Sequence, residues 1–282
     1  MGSNAKIYLI AILLGVLLVT LWAKEQDRER GGKTSEQSRE RKRWKQDVVT
    51  RGKAWALGCA AVLTERNHHR HDLLGGLMTN ERNIRRMKKL LANWWGTKSR
   101  KDLFDDLIWI ENGGHRKNFE GWGRLLQTLS EQEYQKVLEK YERDQETLQE
   151  IKITKEHYEN LGPKSLLGWD YSRYICLCRW GYLVGYISEE EAWERIMPVA
   201  EMLQKKFDSW EDLGQNYLIG RRFWSYKYTK EKGDLYEDAF QRLLDMRSSP
   251  WNKYPWDLDL GVATIISDPN KLVQQNEIVV ND

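Results

Sequence analysis

Residues 169–186 read WDYSRYICLCRWGYLVGY and place aromatic, charged and small residues at helical spacing. On a helix, Trp169, Arg173, Cys176 and Trp180 fall on one side, because residues three and four positions apart are neighbours. An arginine between two tryptophans is shielded from water, so we expect Arg173 to have a carboxylate partner. Asp170, three residues earlier, is one choice. The others begin the next predicted helix: Glu189, Glu190, Glu191 and Glu194.

The same helical periodicity extends over most of the chain. Ile84, Met87, Leu90 and Trp94 follow one another at spacings of three and four and form one apolar face. Only five prolines occur, which suits long helices. The sequence therefore predicts a mainly α fold, a compact multi-helix domain over residues 47–282, with a short strand after Gly261.

Helix starts are marked by polar residues that cap free backbone N–H groups. Ser-x-x-Glu capping boxes begin at Ser130 and at Ser188. Thr79 and Thr154 are candidate caps of two further helices. These signals divide the domain into several separate helices.

A second apolar feature lies at the N-terminus, where residues 7–23 read IYLIAILLGVLLVTLWA without a charged residue. A transmembrane helix needs roughly 17–25 such residues. We therefore predict a transmembrane anchor over residues 1–23 and a charged linker over residues 24–46, ahead of the helical domain. The linker has no apolar periodicity and cannot bury enough surface to fold alone.

A cleaved secretory signal is the alternative to the anchor. Leu21 is bulky at a position where a cleavage site wants a small residue. Basic residues crowd the segment from Lys24 to Lys45, and such flanks stay in the cytoplasm. We expect an uncleaved single-pass anchor with the domain in the cytoplasm. Membrane lipid is then a partner, through the anchor and through contact of the basic linker with anionic headgroups.

Cysteine content and charge restrict the function classes. The chain has three cysteines, a small and odd number that does not suit a disulfide framework. We expect them to be buried, reduced thiols. The net charge of +3 is too small to produce the positive electrostatic field that attracts nucleic acid. No P-loop, GxGxxG, GxSxG or kinase signature occurs, and we expect no cofactor.

The segment WEDLGQNYLIGRRFW, residues 210–224, again mixes aromatics, amides and arginines. Together with residues 169–186 it supplies six candidate binding residues: Arg173, Arg179, Asn216, Tyr217, Arg221 and Trp224. One interpretation is an arginine-lined pocket for an anionic ligand. The other is structural, an Asp-Arg-Glu clasp between two antiparallel helices.

Two further chemistries are open. Asp170 or Glu190 beside the arginines would act as a general base, which makes both candidate catalytic residues of an enzyme. His68, His71 and Asp72 share a helical face and are weak candidate metal ligands. A polar turn is the simpler reading of that histidine cluster.

Several segments, taken in their order along the chain, resemble a bacterial family, the domain of unknown function 1266. They are WALGCA at 55–60, WDYSR at 169–173, RWGY at 179–182, YISEEEAW at 186–193, FDSW at 207–210, NY at 216–217 and GRRFW at 220–224. The resemblance implies a mostly helical domain without established activity or agreed catalytic residues. The resemblance also implies a bacterial source, and we then expect an inner-membrane protein whose domain binds a partner protein or a small anionic ligand. The alternative is an enzyme with a carboxylate and arginine site around Asp170, Arg173 and Arg221.

Overall fold

The computed structural model describes residues 50–225 and 235–260, which form twelve α-helices. The first six are α1 Arg51–Gly58, α2 Ala61–Arg66, α3 Glu81–Trp94, α4 Arg100–Glu111, α5 Arg116–Leu126 and α6 Glu131–Lys140. The second six are α7 Gln145–Leu161, α8 Leu167–Val184, α9 Glu189–Lys206, α10 Trp210–Trp224, α11 Leu235–Asp245 and α12 Pro250–Lys253. A 3₁₀ turn, Gly162–Lys164, joins α7 to α8. The prediction of a mainly α, compact domain is confirmed.

Helix α8 lies at the centre of the domain and packs against α2, α3, α4, α9 and α10. All but three of its residues are buried, as expected of a helix with neighbours on every side. It ends at Gly185, whose φ of 80° is in the left-handed region that favours glycine. The segment that first indicated a helix is therefore the one around which the others assemble.

Most helix starts follow the sequence signals. Both capping boxes are present, at Ser130 with Glu133 and at Ser188 with Glu191. The caps expected at Thr79 and Thr154 are wrong. Asn80 caps α3 instead. Thr154 lies inside α7, where its hydroxyl donates to the carbonyl of residue 150.

Four tryptophans pack together between α1, α10 and the C-terminal end of the described chain. Trp55 and Trp210 have ring centroids 4.5 Å apart, and Trp256 lies 5.0 Å from Trp55. Trp251 stacks on Trp210 at 6.0 Å. Each of the four indole N–H groups donates to a backbone carbonyl at 2.8–3.1 Å. These tryptophans are fully satisfied core residues.

The three cysteines are buried and free. Burial raises the pKa of each thiol, that of Cys176 to about 11. They remain protonated, unreactive thiols near neutral pH.

The predicted anchor, the predicted linker and the predicted C-terminal strand lie outside the described residues. Among residues 50–225 and 235–260, no helix combines the length and the apolarity that crossing a bilayer requires.

Candidate functional site

A cavity of about 400 Å³ opens beside α8. Its walls come from α2, α3, α4, α8, α10 and α11. Eight of the lining side chains are aromatic: Trp94, Trp95, Trp109, Trp169, Trp180, Trp224, Tyr217 and Tyr236. Five are titratable or charged: Arg66, Asp106, His115, Arg173 and Arg221. The cavity therefore joins flat apolar walls to a concentration of positive charge.

Asp170 lies behind the cavity wall, with its side chain wholly buried. Its carboxylate accepts from Arg173 at 2.7 Å and from Arg116 at 3.0 Å. It also accepts from the backbone N–H groups of His115 and Arg116 at the start of α5, where a helix favours negative charge. Gly114 makes this approach possible, because a Cβ there would come within 2.6 Å of the carboxylate.

Burial alone would raise the pKa of Asp170. The charges of Arg173 and Arg116 outweigh burial and hold the pKa below its usual value. Asp170 is therefore a fixed anion shared by two guanidinium groups. The expected partner of Arg173 is thus Asp170, and the second member of the clasp is Arg116 of α5 rather than a glutamate of α9.

Arg173 forms part of the cavity wall. Its guanidinium lies 4.1 Å from the ring centroid of Trp169 and 5.1 Å from that of Trp95. It also donates to Nδ1 of His115 at 2.7 Å. Because a guanidinium only donates, this bond assigns the proton of neutral His115 to Nε2. Burial lowers the pKa of His115 and keeps the ring neutral.

Arg221 is placed differently. It is 7 % exposed, and its Nε and Nη1 have no hydrogen-bond partner among the described residues. Its guanidinium lies 5.1 Å from the Trp224 ring and 4.8 Å from the Tyr236 ring. Nε of Arg66 and Nε1 of Trp169 also lack partners there. All four of these buried, unpaired atoms are donors, and they belong to residues of the cavity lining.

A family model described as "Protein of unknown function (DUF1266)" matches residues 90–256, more than half of the chain. The chain belongs to the DUF1266 family. No curated protein and no solved structure matches it. The matched range contains the segments from Trp169 to Trp224 and leaves out Trp55–Ala60. It includes most of the cavity, whereas Arg66 on α2 lies outside it.

Four of the six candidate binding residues line the cavity of this DUF1266 domain: Arg173, Tyr217, Arg221 and Trp224. Arg179 lies elsewhere in the core and is 1 % exposed. It donates to the carbonyls of Arg70, Leu73 and Leu74 and to the hydroxyl of Thr64. It therefore holds the loop between α2 and α3.

Asn216 also has a structural place. Its side chain accepts from the N–H of Gly168 at 2.8 Å and donates to the carbonyl of Ser165 at 2.7 Å. It thereby fixes the start of α8 against α10. Glu190 is exposed on α9 and lies away from the cavity lining.

The histidine cluster forms ordinary pairs. His71 contacts Glu65 at 3.0 Å, Asp72 pairs with Arg70 at 2.6 Å, and His68 is exposed. No group of three His, Cys, Asp or Glu side chains in the described part of the chain is arranged to hold a metal ion.

Several lining residues were not singled out from the sequence. Arg66, Trp109, His115 and Tyr236 come from α2, α4, the start of α5 and α11. The high tryptophan content was a general signal for an aromatic site. Nothing in the spacing of these four residues connects them.

Proposed function

We propose that this DUF1266 domain binds a small organic anion with a flat apolar body in the aromatic cavity. The observation that carries the proposal is Arg221, a buried guanidinium with two donor atoms that have no partner among the described residues. Buried polar groups are nearly always paired, and one that is not needs an explanation. A bound anion supplies the missing acceptors and offsets the cost of burying the charge.

The walls favour a flat ligand. Six tryptophans and two tyrosines line the cavity, and aromatic rings stack well on such surfaces. A volume of about 400 Å³ is within the usual range for small-molecule sites. The contrast between two tryptophans supports a ligand role for one of them. Trp55 donates to a backbone carbonyl, whereas the Trp169 N–H has no partner among the described residues.

Two alternatives receive less support. A partner protein would reach exposed residues, but Arg173 and Arg221 are each only 7 % exposed. An enzyme that uses Asp170 as a base would need an accessible carboxylate, and Asp170 is 0 % exposed and bound by two arginines. Glu190 lies on the outer surface of α9. A small ligand that enters the cavity agrees best with these positions.

The test is a calorimetric titration of the full-length chain, in non-ionic detergent, with 1-naphthoate, 1-naphthol and 1-naphthylamine. We expect the anion to bind and the neutral alcohol and amine to bind at least about ten-fold more weakly, since a charged hydrogen bond is worth about 1.5–3 kcal/mol. Arg221→Ala should abolish the preference, and Arg222→Ala, one residue further and outside the lining, should keep it. Equal binding of all three compounds would contradict the proposal.

We further propose that residues 7–23 anchor the domain to the bacterial inner membrane, with the domain in the cytoplasm. The proposal rests on the uncharged run and on the basic flank from Lys24 to Lys45. An anchor restricts the ligand-binding domain to the membrane surface.

Fusion of alkaline phosphatase or of green fluorescent protein after Asp282 tests the orientation. Fluorescence without phosphatase activity is the expected result. Phosphatase activity would place the C-terminus in the periplasm and contradict the orientation. A fusion protein that does not fractionate with membranes would contradict the anchor itself.

A further inference from the structure

Two arginines of the cavity lie against one tyrosine ring. The guanidinium of Arg221 is 4.8 Å from the ring centroid of Tyr236, and that of Arg66 is 5.7 Å from it. They come from helices far apart in the chain, α10 and α2, and Tyr236 belongs to α11. The fold therefore brings two positive charges to one aromatic side chain.

Neither of these arginines has a carboxylate partner within 4.0 Å among the described residues. The nearby Glu65 is already engaged, by Arg242 at 3.0 Å and by His71 at 3.0 Å. Arg66 and Arg221 also retain buried N–H groups without acceptors. Two like charges in a partly desolvated site repel each other more strongly than they would in water.

The other buried arginines near the cavity have structural roles, and their guanidinium groups are paired. Arg173 and Arg116 share Asp170 at 2.7 Å and 3.0 Å. Arg179 donates to three carbonyls and a hydroxyl. Among the arginines that line the cavity, Arg66 and Arg221 therefore keep unpaired N–H groups at the Tyr236 end, whereas Arg173 is paired; Nε of Arg222, outside the lining, is also unpaired.

We propose that the Arg66–Tyr236–Arg221 end holds a doubly charged group, the phosphate of an aromatic phosphate monoester. The inference rests on the proposed function and names the ligand class within it. A phosphate monoester carries about −1.5 to −2 charges near pH 7 and offers three acceptor oxygens, which matches two guanidinium groups. A carboxylate carries one charge and leaves the second arginine uncompensated. Arginine suits phosphate through its planar set of donors.

The aromatic body of the ligand then extends toward the opposite end. There Trp95 and Trp109 lie 5.1 and 6.0 Å from Arg173, which has a carboxylate partner in Asp170. Trp169 connects the two ends: its ring lies 6.0 Å from that of Trp224, and its buried N–H has no partner among the described residues. The cavity therefore has two arginines without a carboxylate partner among the described residues at one end, and a paired arginine among tryptophans at the other.

Three probes that vary the charge and the aromatic body separately test the inference on the full-length chain: 1-naphthyl phosphate, 1-naphthyl sulfate and inorganic phosphate. Calorimetry is run at about pH 7.5, above the second phosphate pKa of about 6. The sulfate ester has the same ring and one charge. We expect naphthyl phosphate to bind about ten-fold or more tightly than the sulfate ester, because each added charged hydrogen bond is worth about 1.5–3 kcal/mol. It should also bind more tightly than inorganic phosphate, which has no ring to stack on the aromatic walls.

Variants then locate the phosphate. Arg66→Gln and Arg221→Gln should each bring the affinity for naphthyl phosphate to that for naphthyl sulfate. Arg222→Gln removes the same charge outside the cavity lining and should leave the ratio unchanged. Circular dichroism and thermal unfolding verify that each variant is folded, and the comparison of probes on the native chain needs no variant.

Each outcome bears on one of the two proposals. Equal affinity for the phosphate and sulfate esters overturns the dianion assignment and leaves the anion-binding function intact. A preference for phosphate that survives both Arg66→Gln and Arg221→Gln overturns its location. Inorganic phosphate that binds as tightly as the ester overturns the flat-ligand site, and the absence of binding by any aryl anion overturns both proposals.

Discussion

Gly220 of α10 lies against Trp169 of α8 so closely that a Cβ at position 220 would come within 2.2 Å of the Trp169 Cβ. The two helices can approach this far only because residue 220 has no side chain. The approach brings Trp169 beside Tyr217 and Trp224, with ring centroids 5.1 and 6.0 Å apart. One glycine thus sets the spacing between two walls of the cavity.

Gly220→Ala should lower the free energy of unfolding by about 1–3 kcal/mol, the usual cost of overpacking a core. The added methyl meets the base of a side chain rather than a flexible tip, so the helices have to separate. Urea unfolding of the full-length chain in detergent measures the change. Gly121→Ala is the matched control, since Gly121 is exposed on α5 with nothing within 4 Å of its added Cβ. Alanine there should stabilise the helix by about 0.5–1 kcal/mol; similar losses in both variants contradict the packing argument.

Asp170→Asn should be among the most destabilising single changes. It leaves the guanidinium groups of Arg116 and Arg173 buried without a counter-charge, and breaking a buried pair costs about 3–5 kcal/mol. Asp105→Asn breaks a pair with Lys101, whose side chain is 82 % exposed, and should cost less than about 1 kcal/mol. A small effect of Asp170→Asn on the urea midpoint would mean that the two arginines find other partners.

The Asp170 carboxylate also makes the free energy of unfolding depend on pH in the acid range. The pKa of Asp170 is lower in the folded chain than in the unfolded chain, so its contribution is complete above the unfolded value of about 3.9. The contribution disappears as the pH falls through the lower folded value. Asp170→Asn should therefore flatten the loss of stability below about pH 4.

Arg179→Lys tests a residue whose chemistry suggested binding but whose position is structural. A lysine ammonium cannot reproduce the planar set of donors that reaches the carbonyls of Arg70, Leu73 and Leu74. Each buried carbonyl left unpaired costs about 1–3 kcal/mol. Arg85→Lys, at a side chain that is 72 % exposed, is the control and should change the thermal midpoint little. An Arg179→Lys variant as stable as the native chain contradicts this role.

Helical spacing identified part of the candidate site, and it also contained the information that Arg179 does not belong to it. Tyr217, Arg221 and Trp224 are separated by four and three residues, so they share a face of α10, and all three line the cavity. Arg179 is six residues from Arg173, a rotation of about 240° around the helix. The two arginines of α8 therefore face different neighbours, one the cavity and the other the loop after α2.

The remaining lining residues depend on tertiary contacts that local spacing does not encode. Arg66, His115 and Tyr236 meet only when α2, α5 and α11 pack around α8 and α10. The same limit explains the partner of Arg173. Asp170 was in reach on its own helix, but the second arginine that shares it comes from α5, more than fifty residues earlier.

His69 makes the free energy of unfolding change with pH in the mildly acidic range. Its side chain is 8 % exposed, and burial, followed by the charge of Arg179, lowers its pKa to about 4. The unfolded chain binds a proton at about 6.5, so the folded state loses stability as the pH falls from about 6.5 to about 4. At 1.36 kcal/mol per pKa unit, the loss due to His69 is about 3 kcal/mol.

His69→Gln should reduce this loss, although it also removes the edge contact with Trp180 at 6.4 Å and lowers stability at neutral pH. The slope of unfolding free energy against pH, rather than its value at one pH, is therefore the measurement. Equal slopes for His69→Gln and the native chain would show that His69 accepts its proton in the folded state as readily as in the unfolded one.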